Sequence, residues 1–517
     1  MKLLVTCPCG HQMTAGDDLV GSYGQCPACG DQVLFPIAIV EMDTAEPSGG
    51  SPGRDRKPVN KDRGAALFVY GVWGLALAFA LGLVAYFGHN APFNDDFAII
   101  PWWTGERAIT LSWLWAPHNE HRIALPKLVL LALASITGGD FRAGMYFNVL
   151  APGGLALALI VVAKKLRGGL KFTDAVLPIA CLHWGHYDNF LWCFQVGYVV
   201  PVILACSLLL IIVTTTPPFP TARAFLAGVC LVLLVFCGAP GIAFVPGLAC
   251  WLGYCGVRTW RDGSSPGKRN GMAMLAFAGA ALLLVGLYFV QLQRAPYPRA
   301  GVWTKFRVGS QFLSLMCGLV AEDLWPYSAV GVVALTLISA AFLVRAWFHR
   351  PGDRARILGL FLFLGSMALL AMGIAWGRAW IEEFMGPKVG FSPRYVTLAF
   401  PLLVCLYYVW QVLPCSYGNL IHLVLFTVLC AGLSVNVRRA YTFAHERHQP
   451  LCAFERDLAA GTPSRELAER YNGQFIVFPL RPPEFLEKYL YRLHRAGLSP
   501  WKDMRVSDPP PLAVPDW

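Results

Sequence analysis

A series of long apolar runs recurs along most of this sequence and limits what it can fold into. They occupy Ala65 to Phe87, Ala143 to Ala163, Val196 to Val213, Ala222 to Cys237, Ala239 to Cys255, Met272 to Leu292, Pro326 to Trp347, Ile357 to Trp376, Val396 to Leu413 and Asn419 to Val437. Most approach the ~20 residues that an α-helix needs to cross the hydrocarbon layer of a bilayer. Within lipid every backbone polar group must be paired inside the protein, which leaves only helices or a closed barrel. A barrel would show short alternating segments, whereas these runs are uninterrupted. Composition agrees, since 56% of the 517 residues are hydrophobic and only 14% are charged, where a soluble domain has about a quarter charged. The expected fold is an all-α polytopic membrane protein, and a soluble enzyme or a disordered chain is excluded.

The net charge of +11 has to be read through its distribution, because excess Lys and Arg in a membrane protein mostly reports topology. Arg54, Arg56, Lys57, Lys61 and Arg63 stand directly before the first run, which places the N-terminus in the cytoplasm and makes that run a retained first span. The clusters Arg258, Arg261, Lys268, Arg269 and Arg345, Arg350, Arg354, Arg356 belong on the same side. Two shorter runs, Ile123 to Thr137 and Asp174 to Tyr187, agree with those clusters only if one of them crosses. Lys164, Lys165, Arg167 and Lys171 favour Asp174 to Tyr187 as the crossing run and leave Ile123 to Thr137 at the interface. About eleven crossings result, with the C-terminus extracytoplasmic.

Residues 1–40 carry Cys7-Pro-Cys9-Gly-His11 and Cys26-Pro-Ala-Cys29-Gly, each pair in a Gly-containing turn. Cys7, Cys9, Cys26 and Cys29 suit a tetrahedral zinc ion. A disulfide is the alternative, but Cys-X-X-Cys followed by Gly in a cytoplasmic segment favours metal. The shortened first pair leaves His11 as a substitute ligand. The segment resembles the small zinc-ribbon modules at the N-termini of some bacterial proteins, with structural zinc in place of a core. Up to Gly64 the chain has six Lys or Arg against eight Asp or Glu. That balance offers no phosphate-binding face, so a cytoplasmic protein partner is expected in preference to nucleic acid. Residues 41–64 are rich in Pro, Gly, Ser and charge and read as a flexible linker.

The chemistry-bearing groups gather on the extracytoplasmic face. Immediately after the first span comes Asn94-Asp95-Asp96-Phe97, then Trp102, Trp103, Trp113 and Trp115, then His118-Asn119-Glu120-His121-Arg122. Trp at this density marks the headgroup layer, and Phe97 to Trp115 reads as an interfacial helix. Paired carboxylates there can act as a general base or hold a divalent cation, or they can simply form a solvated turn. Glu120 is a second acid, a metal ligand or polar loop. His183, His186 and Asp188, with Trp192 to Gln195, suit structural or substrate-lining roles better than metal binding.

Together, residues 65–437 resemble the GT-C superfamily of integral-membrane glycosyltransferases, of the protein mannosyltransferase and lipid A aminoarabinose transferase type. The tract Gly390-Phe391-Ser392-Pro393-Arg394-Tyr395 is similar to the Arg-Tyr segments that precede a late span in such proteins. The resemblance implies a multi-pass enzyme of the bacterial inner membrane. It would move a sugar from a polyprenyl-phosphate donor to an extracytoplasmic lipid, glycan or protein acceptor. Asp95 or Asp96 would be the base, with Glu120 beside them, and Arg394 with Tyr395 would meet the donor phosphate. Guanidinium chemistry supports that assignment, although a headgroup anchor is an equal reading of Arg394. Lys388 and a basic loop of Arg294, Arg299, Lys305 and Arg307 are further phosphate candidates.

Residues 438–517 are expected to form a small extracytoplasmic α+β segment. It would contain a helix from Arg465 to Tyr471, a strand from Gln474 to Phe478 and a helix from Glu484 to Ala496, covering the outer face or binding acceptor. Two other functions compete with transfer. One is a transporter or flippase for lipid-linked saccharide, which would place ionisable groups near the bilayer midplane. The other is a non-enzymatic anchor whose zinc ribbon recruits a partner.

Overall fold

The computed structural model describes residues 3–6, 12–15, 23–28, 32–34, 61–215, 219–292, 298–413, 416–476 and 481–508. The chain divides into two units, Met1–Val59 and Asn60–Trp517. In the first unit β1 (Leu3–Thr6) pairs antiparallel with β2 (Gln12–Ala15), and β3 (Tyr23–Gln25) with β4 (Gln32–Leu34). Cys26, directly after β3, is buried. Cys7, Cys9, His11 and Cys29 lie outside the described residues.

The second unit is helical. In chain order it contains α1 (Lys61–Phe87), α2 (Ala124–Thr137), α3 (Arg142–Arg167), α4 (Val176–Leu182), α5 (Val196–Val213), α6 (Thr221–Val235), α7 (Val245–Arg261) and α8 (Ser265–Phe289). It continues with α9 (Val302–Ser314), α10 (Tyr327–His349), α11 (Arg354–Arg378), α12 (Tyr395–Val412), α13 (Gly418–Ala459), α14 (Ser464–Phe475) and α15 (Pro483–Arg495). Among the described residues, nine helices are long and apolar enough to cross a membrane, while α2 and α6 are shorter apolar helices. The fold is therefore an all-α polytopic one. Helix α12 is buried almost throughout, and α1, α8 and α10 leave most of their apolar side chains on the outside. A soluble protein would bury those side chains, but lipid solvates them.

Three expectations are corrected. The run Asp174 to Tyr187 is not one continuous helix. It is a 3₁₀ turn at Phe172–Ala175, the seven-residue α4, a second 3₁₀ turn at Trp184–His186 and a last short helix at Tyr187–Phe190. His183 adopts an extended conformation (φ −64°, ψ 151°) and breaks the helix. The backbone groups freed by the break find side-chain partners. His183 Nδ1 accepts from the Gly185 N–H at 3.0 Å, and His186 Nε2 lies 2.9 Å from the Ala180 carbonyl. The opposite nitrogen, His186 Nδ1, lies 2.8 Å from Thr397 Oγ1. The two histidines thus hold a broken helix together, which is how non-helical backbone survives in a buried apolar setting.

Second, Phe97 to Trp115 is not a single interfacial helix. It forms short turns at Ile100–Trp103 and Leu111–Trp115, joined by Trp102 stacked on Trp113 at 4.6 Å. Third, no boundary falls at residue 437, because α13 runs unbroken for 42 residues to Ala459. The C-terminal segment begins as its continuation, and Gln474 and Phe475 end α14 instead of opening a strand.

Side-chain bonds register the helices at two levels. At one, Asp174 is fully buried and accepts from Arg167 Nη2 at 3.0 Å and from the Tyr407 hydroxyl at 2.7 Å. Arg223 Nη1 and Arg356 Nη2 bind the carbonyls of Thr214 and Thr215 at the same end of α5. At the other level, Asn148 Nδ2 donates to the carbonyls of Asn189 and Trp192, and Asn189 Nδ2 donates to that of Arg394 at 2.9 Å. Phe172–Phe190 therefore runs from the first level to the second. Gly144 in α3 permits this packing, since a Cβ there would lie 2.4 Å from Cys193 Sγ.

A large apolar core joins the long helices. A second core lies beyond the second level and combines Phe97, Ile99 and Ile100 of the first loop with Phe454, Phe485, Tyr489 and Trp501 of the C-terminal helices.

Candidate functional site

The first loop turns sharply after α1, with Asn94 at φ 45°, into a 3₁₀ turn over Asn94–Ala98. Asp and Asn tolerate such positions, and a carboxylate two residues on can close the turn. Asp96 does so, its Oδ2 accepting from the Phe93 N–H at 2.9 Å with the residue only 1% exposed. Burial pushes the Asp96 carboxyl up to about 8, only partly offset by the Phe93 N–H and the Arg447 guanidinium. At neutral pH Asp96 therefore mostly holds its proton. Its neighbour Asp95 is a quarter exposed and reaches His118 Nε2 at 3.3 Å.

His118 belongs to a second tight turn. His118 and His121 exchange backbone hydrogen bonds of 2.7 and 2.9 Å, and Asn119 sits at φ 50° between them. Within this turn Glu120 Oε1 is buried with no hydrogen-bond partner among the described residues. Burial, with the nearby Arg378 guanidinium, pushes His121 down to about 4, so its imidazole is neutral at physiological pH.

Arg394 enters from the opposite side, just ahead of α12. The strand of chain before it is pinned by Gln311 of α9, whose Oε1 accepts from the Gly390 N–H at 3.0 Å and whose Nε2 donates to the Pro387 carbonyl at 2.7 Å. Gly390 is needed because a Cβ there would meet the Val308 carbonyl at 2.5 Å. Arg394 Nε donates to Ser392 Oγ at 3.2 Å, and the guanidinium lies in the field of Asp95, Asp188, Tyr198 and Tyr395. Arg378, at the end of α11, faces the Tyr395 hydroxyl and lies close enough to Arg394 for the two charges to repel. Among the described residues no carboxylate comes within ion-pair distance of either guanidinium. Two neighbouring cations with no carboxylate in ion-pair contact among the described residues make an electropositive seat suited to a phosphate, which guanidinium groups bind through paired N–H donors.

Behind this seat lies Arg447 of α13. It stacks on the Phe93 ring at 3.7 Å, donates to the Leu191 carbonyl at 3.1 Å and faces both Asp96 and Asp188. Asp188 lies in the field of both Arg394 and Arg447.

Asp95, Arg394 and Tyr395 are thus brought into one neighbourhood, and Glu120 flanks it through the His118–His121 turn. Asp96 is adjacent but buried within its own loop. Of the other basic candidates, Arg294 lies outside the described residues and the rest do not join. Arg299 is exposed. Lys305 and Arg307 lie on α9 and not in a loop, the first against the Trp376 ring at 3.9 Å and the second paired with Glu382. Lys388 pairs with Glu322 at 3.1 Å, and Arg439 holds Glu322 and Asp323. Asp95 and Asp96 use different partners and do not converge as ligands for one ion. Sequence reasoning passed over Arg378, which looks like an end-of-span anchor, and Arg447, which lies in a segment expected to be separate from the spans. It quoted His118 and Asp188 without giving either a catalytic role. No protein-family model matches this chain, and neither does any curated protein or solved structure.

Proposed function

We propose that this protein is a membrane glycosyltransferase of GT-C type, moving a sugar from a polyprenyl-phosphate donor to an extracytoplasmic acceptor. The observation that carries the reading is the seat of Arg378 and Arg394, without an ion-pair partner among the described residues, which lies near a quarter-exposed carboxylate, Asp95, held by His118. Glycosyl transfer needs those two things. The acceptor oxygen forms a bond to the anomeric carbon as the bond from that carbon to the phosphate oxygen breaks. The acceptor's proton passes to Asp95, and the departing phosphate takes the electron pair and meets the two guanidiniums. A single base and direct displacement invert the anomeric centre. His118 orients Asp95, and Asp96 scaffolds its turn.

On this reading the chain crosses the membrane eleven times and the site faces outward. The nine long helices are joined by α6 and by the broken segment Phe172–Phe190, which connects the same two levels as its neighbours. Basic residues Arg167, Arg223, Arg258, Arg261 and Arg356 then share one face, the cytoplasmic one by their excess. The N-terminal cysteines, on this reading, hold a structural zinc on that side. The test is sugar transfer in membranes carrying Asp95→Asn or Arg378→Ala/Arg394→Ala, alongside binding of polyprenyl monophosphate to the purified protein. Loss of transfer by the first and of lipid-phosphate binding by the second is expected. Full transfer by Asp95→Asn at normal expression overturns the assignment and leaves the anchor reading.

A further inference from the structure

A second constellation lies apart from the residues assigned to transfer. His89 lies two residues past the end of α1, and His448, Cys452 and Glu455 stand at helical spacing on one face of α13. One ligand atom from each of His89, His448 and Cys452 lies within 4.8 Å of the other two. His89 Nε2 is 2.9 Å from His448 Nδ1, and Cys452 Sγ is 3.9 Å from the same nitrogen. Ligand atoms around tetrahedral zinc stand roughly 3.3–3.6 Å apart, given bonds of about 2.0–2.3 Å, so small side-chain rotations reach that geometry.

We propose that His89, His448 and Cys452 bind a Zn²⁺-class transition-metal ion. The donor set is chemically apt, because imidazole and thiolate together select zinc over the hard cations. The surroundings are those of a metal site as well. Glu455 Oε1 lies 2.8 Å from His89 Nδ1, which fixes the ring with Nδ1 protonated and turns the Nε2 lone pair toward His448 and Cys452. A carboxylate behind a ligating histidine is the usual outer-shell arrangement. The His448 ring is held by Tyr86, stacked at 5.3 Å, and by the edge of Phe87 at 5.4 Å. His89 is 7% exposed while Glu455 is 44% exposed, so the site is enclosed on the helix side and open to ions from the other. Water completes the coordination. The ion clamps the end of α1 to α13 one residue from Arg447.

The test uses the full chain purified in detergent and stripped by chelator, with Cys7, Cys9, Cys26 and Cys29 changed to Ser so that N-terminal metal does not contribute. Zn²⁺ should bind at one equivalent and raise the melting temperature, and Co²⁺ should give the absorption of a tetrahedral thiolate site. Cys452→Ser should abolish the thiolate band, His448→Ala should abolish binding, and Glu455→Gln should weaken it by about 10–100-fold. Cys452 is half-buried, so its Ser variant keeps the test valid should His448→Ala not fold. Absence of a Zn²⁺-dependent melting shift in the parent, or binding by Cys452→Ser and Glu455→Gln as tight as the parent's, overturns the proposal and leaves a plain His–His–Glu hydrogen-bonded chain.

Discussion

Asp95 and Asp96 are adjacent in sequence and opposite in circumstance, and that contrast separates their roles. Asp96 is sealed against Phe93 and bears its proton at neutral pH, whereas Asp95 is open to the site and held by His118. Asp95→Asn should therefore remove sugar transfer by at least about 10²-fold, the size of a lost general base. Asp96→Asn, whose amide oxygen can still accept from Phe93, should retain most of it, and rate assays at matched expression will distinguish the two. A pH signature belongs to the same residue. Because the folded-state pKa of Asp96 is about 8 against an ordinary 3.8, the folded protein binds more protons than the unfolded one between those values. Its contribution to stability falls as pH rises through that window, by up to about 1.4 kcal/mol per unit, and is flat above it. Melting curves from pH 5 to 8 should show Asp96→Asn with a shallower decline than the parent. The acidic pair was legible from sequence because Asn-Asp-Asp directly after a span is conspicuous. Which acid faces the site was not, since the answer depends on Phe194, Arg447 and His118, all remote in the chain.

At the scale of elements, apolar length marked the long helices faithfully and failed where helices break or continue. Phe172–Phe190 carries the apolar content of a span, but its backbone turns are satisfied by His183, His186 and Thr397, and no local pattern announces such a break. Likewise α13 outlasts its apolar part, because beyond Val437 Arg439 pairs with Glu322 and Asp323, Arg447 donates to the Leu191 carbonyl and Glu455 meets His89. Arg447 went unassigned for that reason. The broken segment is anchored at its lower end by Arg167, Asp174 and Tyr407, a buried set in which each group depends on the others. Removing one partner strands a buried charge, so Asp174→Ala should cost about 3–5 kcal/mol, read as a lowered melting temperature in detergent. Tyr407→Phe should cost about 0.5–1.5 kcal/mol, since it removes only the hydroxyl. A comparable loss from both would mean that the charge pair is solvated and the segment is held by packing alone.

Residues 60–517 form a bundle of long apolar helices with a second core at one end, and that second core ties the C-terminal helices to the first loop. Phe97, next to Asp96, packs edge-on against Phe485 at 5.9 Å and Tyr489 at 5.2 Å, and Arg492 of α15 pairs with Glu106 of the loop at 2.7 Å. The C-terminal segment is expected from sequence to cover the outer face or bind acceptor, and composition does not reveal that its helices share a core with the first loop. Its amphipathic helices add Phe485 and Tyr489 to the loop's own Phe97 in that core. Deleting Ser464 to the C-terminus should leave the long helices inserted, because their core is separate, while freeing the turn that sets Asp95 against His118. Sugar transfer should then fall as far as in Asp95→Asn, while binding of polyprenyl monophosphate at Arg378 and Arg394, which rest on α11 and α12, should persist. A milder form of the experiment is Tyr489→Ala, which removes a fully buried ring and should destabilise this upper core by about 3–5 kcal/mol. Protease accessibility of the loop around Glu106 would report that loosening directly. Undiminished transfer after the deletion would show that the first loop holds its geometry unaided and that the C-terminal helices serve acceptor binding instead.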